Sequence, residues 1–590
     1  MSRLLLKMRD GVLPAAAIWA VAGYAMPMLA MAGGEGGSCP KAVSVSPALP
    51  SPQSDGSTGG IDLCAGAVFA WNAFISVNWP AKEGVRDEPD TNKPFGQGSP
   101  TVWETMRAKV ELYPGNGSPT NPPHGVQLNQ QSAPSNPPDY GYNQAPDYVY
   151  SPSEVKSADG HIKACPKQPE AKTAAWIPLD ETTQIGNNQT FAGVLPERDA
   201  NGLNSKPQLI RYAVKMNKAT YTNVVSGQYW YHGDGSPLGK AANNYKAALQ
   251  QGQEADPASP YVNFGSTDPK DPNYSVEIKS AWRPLTDKEA ASGRFYRTTV
   301  RYYEEDGAGT PCYREDTWGL VGMHLISFPI SAPWVIWSTF EQTDNILAAN
   351  NSATEDAEGR VVLPTTEGPT TPLLSSNPDA LKPVVSKTGD YCTQPGARLF
   401  FRENPNYGTL PADGDICVNK RWHPIPDPII EANVLGHQAI RSYLKSLKGS
   451  PSTSPWLYYK LVNVQATPVD YSGKDDQRFS TTPTYYTANA TIETDYSLGM
   501  FTGDLVNGVP SNKVANGDSI TDYYNTRLLP FQAGRLGFLK TPIRMGGCGG
   551  CHGYAATQGQ DFSFALGDNV KKPEPVNAFK NAKTFRNYKP

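Results

Sequence analysis

Near its carboxyl end the sequence reads Met545-Gly546-Gly547-Cys548-Gly549-Gly550-Cys551-His552-Gly553-Tyr554. A Cys-x-x-Cys-His run is the attachment sequence for haem of the c type. The spacing has a physical reason. Two cysteines one helical turn apart lie on the same face, so both thiols reach vinyl groups on neighbouring pyrrole rings while the next residue brings its imidazole under the iron. Cys548 and Cys551 then become the anchors and His552 the proximal ligand of one covalent haem. Three other uses of the pair compete. A zinc site would want further Cys or His ligands at finger spacing, and none is visible nearby. A thioredoxin-like redox pair would sit between a strand and a helix, which the glycine-rich surroundings do not suggest. A plain disulfide across two residues is strained.

Only 38 residues follow His552, and they contain neither Met nor His, so a second axial ligand must come from upstream. The choices are His124, His161, His232, His324, His423, His437, Met106, Met216, Met323, Met500 and Met545. His124 and His161 fall in loose, polar stretches and read as exposed bystanders, and Met545 is too near in sequence to cross to the far side of the ring. His324 leads, because it interrupts an otherwise apolar strand where an imidazole needs a strong partner. The competing reading is a core histidine satisfied by a backbone carbonyl. His437 carries the same ambiguity on its helix, and Met500 is the methionine to test first. Asp561-Phe562-Ser563-Phe564-Ala565-Leu566 would pack against the porphyrin edge or form an ordinary core strand. Glu341, beside Trp337 and Phe340, is either a buried acid in a pocket or a sheet-end carboxylate. In the tail, Lys571, Lys572, Lys580, Lys583, Arg586 and Lys589 outnumber Asp561, Asp568 and Glu574. That surplus would steer an acidic redox partner or simply be solvated.

These residues need a large scaffold, and the chain supplies one. Its 590 residues carry 54 glycines, 54 prolines, 30 tyrosines and 12 tryptophans. Such a composition predicts few helices and β-rich layers stapled by aromatic contacts. Alternation of apolar and polar residues over Ile210–Met216 and Val276–Lys279 predicts half-buried strands, and Phe295 through Tyr303 adds another. The nearly all-apolar run from Trp318 to Phe328 and the run Trp334–Glu341 suit a sheet covered on both sides. Phe69–Pro80 is a buried helix or strand that stops at its proline. The clearest helix begins with Asp427 as N-cap and Pro428 in the first turn, carries Ile430, Val434, His437, Leu444 and Leu447 near one side, and stops at Gly449. Trp456–Val464 returns to strand. Residues 114–155 and 348–395 read as Pro-, Gly- and Asn-rich surface excursions. The fold class is therefore a β-rich α+β body, 33–480, followed by a haem-attachment segment, 481–590.

Residues 1–32 read as a signal peptide. Arg3, Lys7 and Arg9 precede an apolar stretch that ends in Ala30-Met31-Ala32 before Gly33, and Pro14, Gly23 and Pro27 break it too often for a spanning anchor. Export implies a mature chain with no transmembrane segment, periplasmic or secreted. It also implies that Cys39, Cys64, Cys165, Cys312, Cys392 and Cys417 pair as up to three disulfides. Of the 15 possible pairings, Cys39 with Cys64 and Cys392 with Cys417 are preferred as sequence neighbours. A formal charge of −4 argues against a nucleic-acid partner.

With Cys548, Cys551 and His552 in place, the C-terminal part resembles c-type cytochromes. The whole mature chain is similar to a little-characterised family of exported bacterial mono-haem proteins of the cytochrome c family. The phrases that carry this likeness are Asn78-Trp79-Pro80-Ala81, Val102-Trp103-Glu104-Thr105, Glu277-Ile278-Lys279-Ser280-Ala281-Trp282, Trp337-Ser338-Thr339-Phe340-Glu341 with Asp344-Asn345, and Trp456 to Gln465. The resemblance implies haem binding and redox work outside the cytoplasm and supplies no substrate. Two functions follow. One is a six-coordinate electron-transfer cytochrome serving a redox partner protein. The other is a haem c enzyme of oxygenase, peroxidase or dehydratase type, with an open iron position for a small-molecule substrate.

Overall fold

In a computed structural model, the described residues are 42–50, 63–126, 140–184, 190–192, 208–251, 273–329, 335–345, 355–361, 400–402, 425–449, 453–466, 487–493 and 548–574, with isolated exceptions inside these ranges. Val262, Phe264, Ala332 and four short strand segments between 505 and 537 are described as well. The residues read as a signal peptide lie outside this set. All described residues belong to one compact unit, Ser38–Pro590, and it is a strand-rich α+β fold, as the composition predicts.

Its centre is a mixed eight-stranded sheet. The strands are β1 (Arg107–Ala108), β2 (Ile177–Leu179), β3 (Arg211–Met216), β4 (Val276–Arg283), β5 (Arg297–Glu305), β6 (Pro311–Ser327), β7 (Ile336–Gln342) and β8 (Tyr459–Gln465). They run in the order β1-β3-β4-β6-β5-β2, with β7 on β6 and β8 on β7. Every pair is antiparallel except β2 with β5. The 17-residue β6 serves two neighbourhoods: Pro311–Gly319 pairs with β5, whereas Gly322–Ser327 lies between β4 and β7.

Side chains alternate across a strand, so the register sorts the sheet into two faces. One face is apolar. Ala213, Ile278, Trp282, Met323, Leu325, Ile336 and Phe340 share a core with α1 (Leu63–Val77) and with the helix at Asp427–Ser446. Phe74 stacks on Phe340 at 4.2 Å, and Trp71 meets it edge-on at 5.4 Å. The undecided Phe69–Pro80 run is thus a helix. Apolar nearly all round, it is buried all round, which is why periodicity alone did not choose. Leaving aside helices of four or five residues, α2 (Lys218–Ser226) and α3 (Pro237–Gln251) lie between these two in sequence, making Asp427–Ser446 α4. That last helix forms at the predicted place, but Pro426 and not Asp427 is its N-cap, it ends at Ser446, and its buried side is Ile429, Ala432, Asn433, Gly436, His437, Ile440 and Leu444 rather than one holding Ile430 and Val434.

The other face is polar and yet covered. Lys279, His324 and Thr339 are cross-strand neighbours on β4, β6 and β7, and Glu277, Glu341, Asn463 and Gln465 on the same side are buried. Residues 487–493 lie over it, held by directed hydrogen bonds, with Ala488, Ala490 and Ile492 buried between them. Asn489 Nδ2 donates to Thr339 Oγ1 and to the Phe340 carbonyl, both at 2.9 Å. The Ala490 amide donates to Glu341 Oε1 at 2.5 Å, and Tyr212 donates to the Thr491 carbonyl at 2.9 Å. Glycine is required at position 322, where a Cβ would run into the Thr491 hydroxyl and come within 3.0 Å of Asn489.

The stretch 114–155 is less superficial than its composition suggests, for Tyr142, Tyr148 and Tyr150 are buried. Cys165 and Cys312 form a disulfide that ties this region to β6. Cys64 is disulfide-bonded, while Cys39, Cys392 and Cys417 lie outside the described residues. No helix among the described residues is long and apolar enough to cross a membrane.

Candidate functional site

The Cys-x-x-Cys-His run docks at one end of the polar face. Cys548, Gly549 and His552 have helical backbone. Cys551 lies outside the described residues. The Gly549 amide donates to Gln465 Oε1 at 3.2 Å, and Gln465 is the cross-strand partner of Trp337. Trp337 in turn packs on the His552 ring with centroids 4.5 Å apart, and the Phe564 ring lies 4.8 Å from the same imidazole. Thr487 Oγ1 sits 2.8 Å from Cys548 Sγ, joining the covering segment 487–493 to the motif.

His552 is oriented by one bond: its Nδ1 lies 2.8 Å from the Phe562 carbonyl oxygen. A carbonyl only accepts, so Nδ1 carries the proton and Nε2 keeps its lone pair. Metal-binding imidazoles are held in this way by their outer partners. Desolvation pulls the ring's pKa down to about 4, with Lys279 and His324 pushing in the same direction. The imidazole is therefore neutral at neutral pH, the form that ligates metals. The Phe562 carbonyl is presented by a tight turn in which Asp561 and Phe562 both have positive φ, 44° and 65°. After it comes a 3-10 turn, Phe564–Leu566. This stretch is a turn rather than a core strand, with Phe562 and Leu566 buried and Phe564 42% exposed.

His324 stands on the same face, near enough for its charge to act on His552. Its Nε2 is 2.6 Å from Glu493 Oε1. Burial opposes ionisation of Glu493, but the His324 charge and hydrogen bond outweigh it and hold the carboxyl below the usual glutamate value. Glu341 combines the two readings: it stands one residue from the end of β7 and is buried, accepting from the backbone of the covering segment. His437 is a satisfied core histidine on the apolar side: its two ring nitrogens meet Glu358 Oε1 at 3.1 Å and the Tyr459 carbonyl at 2.9 Å. Met323 belongs to the apolar core, whereas Met216 lies in the cluster beneath the 560–566 turn. His423, Met500 and Met545 lie outside the described residues, as do Lys580, Lys583, Arg586 and Lys589. Lys571 and Lys572 are exposed, and Lys572 pairs with Glu154 at 3.0 Å.

The described residues fit covalently attached haem. A partly accessible thiol stands four residues before a neutral, carbonyl-anchored imidazole, and the rings of Trp337 and Phe564 pack against that imidazole. Sequence reasoning did not foresee Glu493, Gln465 or the Phe562 carbonyl. Buried polar positions on one side of a strand, each demanding a partner, were the available signal. Compared with protein-family models, with curated proteins and with solved structures, the chain matches none of them.

Proposed function

We propose that the chain is an exported c-type haem protein: Cys548 and Cys551 hold one haem by thioether bonds, His552 is its proximal ligand, and the protein transfers single electrons to or from a redox partner outside the cytoplasm, in the periplasm or the medium. The observation that carries this reading is the Phe562 carbonyl on His552 Nδ1, which leaves Nε2 as the donor atom of a neutral ring. Bound haem supplies a one-electron iron couple. The chain's part is to fix the imidazole, to wall it with Trp337 and Phe564, and to hold the adjoining face dry with residues 487–493.

His324 is the leading side chain for the second axial position. Ligation through Nε2 requires its 2.6 Å bond to Glu493 to open. Left closed, that bond makes a carboxylate-held imidazole of the kind that moves protons. This pair favours the second reading, a haem c enzyme acting on a small molecule at an open iron position. The visible spectrum of the purified full chain tests both. Sharp bands in the reduced protein that ignore carbon monoxide, and that His324→Ala alters, support the six-coordinate carrier. A prompt shift with carbon monoxide supports the enzyme, and a spectrum without haem bands removes both.

A further inference from the structure

Glu277 shares a cross-strand row with the residues that seat the Cys-x-x-Cys-His motif. On the polar side of the sheet the register runs Met216, Glu277, Ile326, Trp337 and Gln465 across five strands. Gln465 holds the Gly549 amide and Trp337 packs on His552. Glu277 therefore stands two strand spacings, roughly 10 Å, from Trp337. The turn that offers the Phe562 carbonyl to His552 also closes over it. The Ser563 hydroxyl is within hydrogen-bonding reach of the Glu277 carboxyl, and Asp561 is near enough for its charge to act there. Glu277 is thus tied to the His552 imidazole through the sheet on one side and through residues 561–563 on the other.

The surroundings satisfy this carboxyl only in part. Glu277 is 5% exposed, and its Oε1 makes no hydrogen bond among the described residues. The hydroxyl of buried Tyr113, which the Glu277 charge reaches, makes none either. Met216 and Ile326 flank Glu277 on the adjoining strands and carry no charge. The cation that acts on it is Lys109, whose ammonium is bound to Glu181 at 3.2 Å. Lys279, two residues along β4, faces Glu181 as well, at 3.7 Å. Burial lifts the Glu277 carboxyl from 4.5 to about 7. The Ser563 hydrogen bond pulls the other way, Asp561 adds to the rise and Lys109 opposes it. Near neutral pH the proton is held loosely enough for one more nearby charge to decide it.

On the reading that haem is bound at His552, we infer that Glu277 takes up a proton when the iron is reduced and releases it when the iron is oxidised. The electron comes from the redox partner and the proton from solvent. The carboxyl O–H is the bond that forms on reduction and breaks on oxidation, and no other bond changes. An electron added at the iron is one more negative charge near the carboxyl, and a neighbouring negative charge favours the protonated acid. A unit charge at about 10 Å in a protein interior shifts a proton equilibrium by about tenfold.

The test is the midpoint potential of the full haem-loaded chain, followed by spectroelectrochemical titration from about pH 5 to about pH 9. The potential should be level at the acid end, fall through the neutral range and level off again. The whole fall is about 59 mV for tenfold tighter proton binding in the reduced protein. Glu277→Gln should remove it, and Glu277→Asp, which still titrates, should keep it at a shifted pH. A second readout needs no variant: the infrared difference between reduced and oxidised protein should show a carboxylic C=O band gained on reduction. A potential that ignores pH, a fall that survives Glu277→Gln, or the absence of that band overturns the assignment. A fall lost in His324→Ala and kept in Glu277→Gln gives the proton to the His324–Glu493 pair and overturns it too. A chain without haem fails the proposed function itself, whereas a haem whose potential ignores Glu277 fails this inference alone.

Discussion

The two faces of the central sheet are buried to a similar depth by opposite means. Under α1 and α4 the strands present Phe340, Met323, Leu325 and Trp282, and the cover is apolar surface pressed together. Under residues 487–493 they present His324, Thr339, Glu341 and Asn463, and the cover is a set of directed hydrogen bonds. The first arrangement is non-directional and tolerates shifts. The second works only if each donor meets its acceptor, because an unpaired buried polar group costs about 1–3 kcal/mol. A fold has little reason to build the second kind except where polar groups are needed, and it is on this face that the Cys-x-x-Cys-His motif docks.

That contrast can be broken from either side. The largest effect belongs to the apolar face. Phe340→Ala removes a ring stacked on Phe74 and should lower unfolding stability by about 3–5 kcal/mol in chemical denaturation. His552 and its carbonyl anchor should be untouched in the folded fraction, so a haem spectrum that changes in proportion to the stability loss would show that the faces are not separable. Gly322→Ala acts on the polar face alone. Its methyl group meets Thr491 and Asn489, and the expected loss is about 1–3 kcal/mol, with faster amide exchange confined to residues 487–493. Uniform exchange would mean that the segment is not held as a separate cover.

A smaller effect separates the faces by pH. Burial first, and then neighbouring Asp561, pushes the Glu277 carboxyl up from the ordinary 4.5 to about 7. The folded protein then holds a proton that the unfolded chain releases, so stability falls as pH rises from about 4.5 to 7 and levels off above that. Glu277→Gln should flatten this stretch of the profile. A slope unchanged by the substitution would assign it to another group. Phe340→Ala should leave the Glu277 stretch of the profile in place, since Phe340 and Glu277 lie on opposite faces of the sheet.

The apolar face was largely legible in the sequence. Alternation over Ile210–Met216 and Val276–Lys279, the run after Trp318 and the helix opened by Asp427-Pro428 all lie where periodicity puts them, because burial of apolar surface writes itself into residue spacing. At the polar face, His324 stood out as a misfit among apolar neighbours, but its partner Glu493 did not. Thr487 through Glu493 alternates polar and apolar residues as a strand would, yet it folds as an irregular segment ending in a turn, so its period points to the wrong element and not to the hydrogen bonds that hold it. A related arrangement lies at the edge of the sheet: buried Arg107 gathers two loops by the carbonyls of His124, Gly141 and Tyr142, long-range contacts with no local signal. The buried tyrosines at 142, 148 and 150 were a sign that the stretch around them packs against something, even though prolines and asparagines dominate it.

The most direct test asks whether pigment stays on the polypeptide. The full chain, exported from a host that matures c-type haem, is denatured, freed of non-covalent ligands and assayed for haem by its alkaline pyridine spectrum and by intact mass. One haem per chain, lost when Cys548 and Cys551 are both replaced by serine, is the predicted result. A colourless chain whose Cys548 and Cys551 are joined to each other or hold zinc would contradict it.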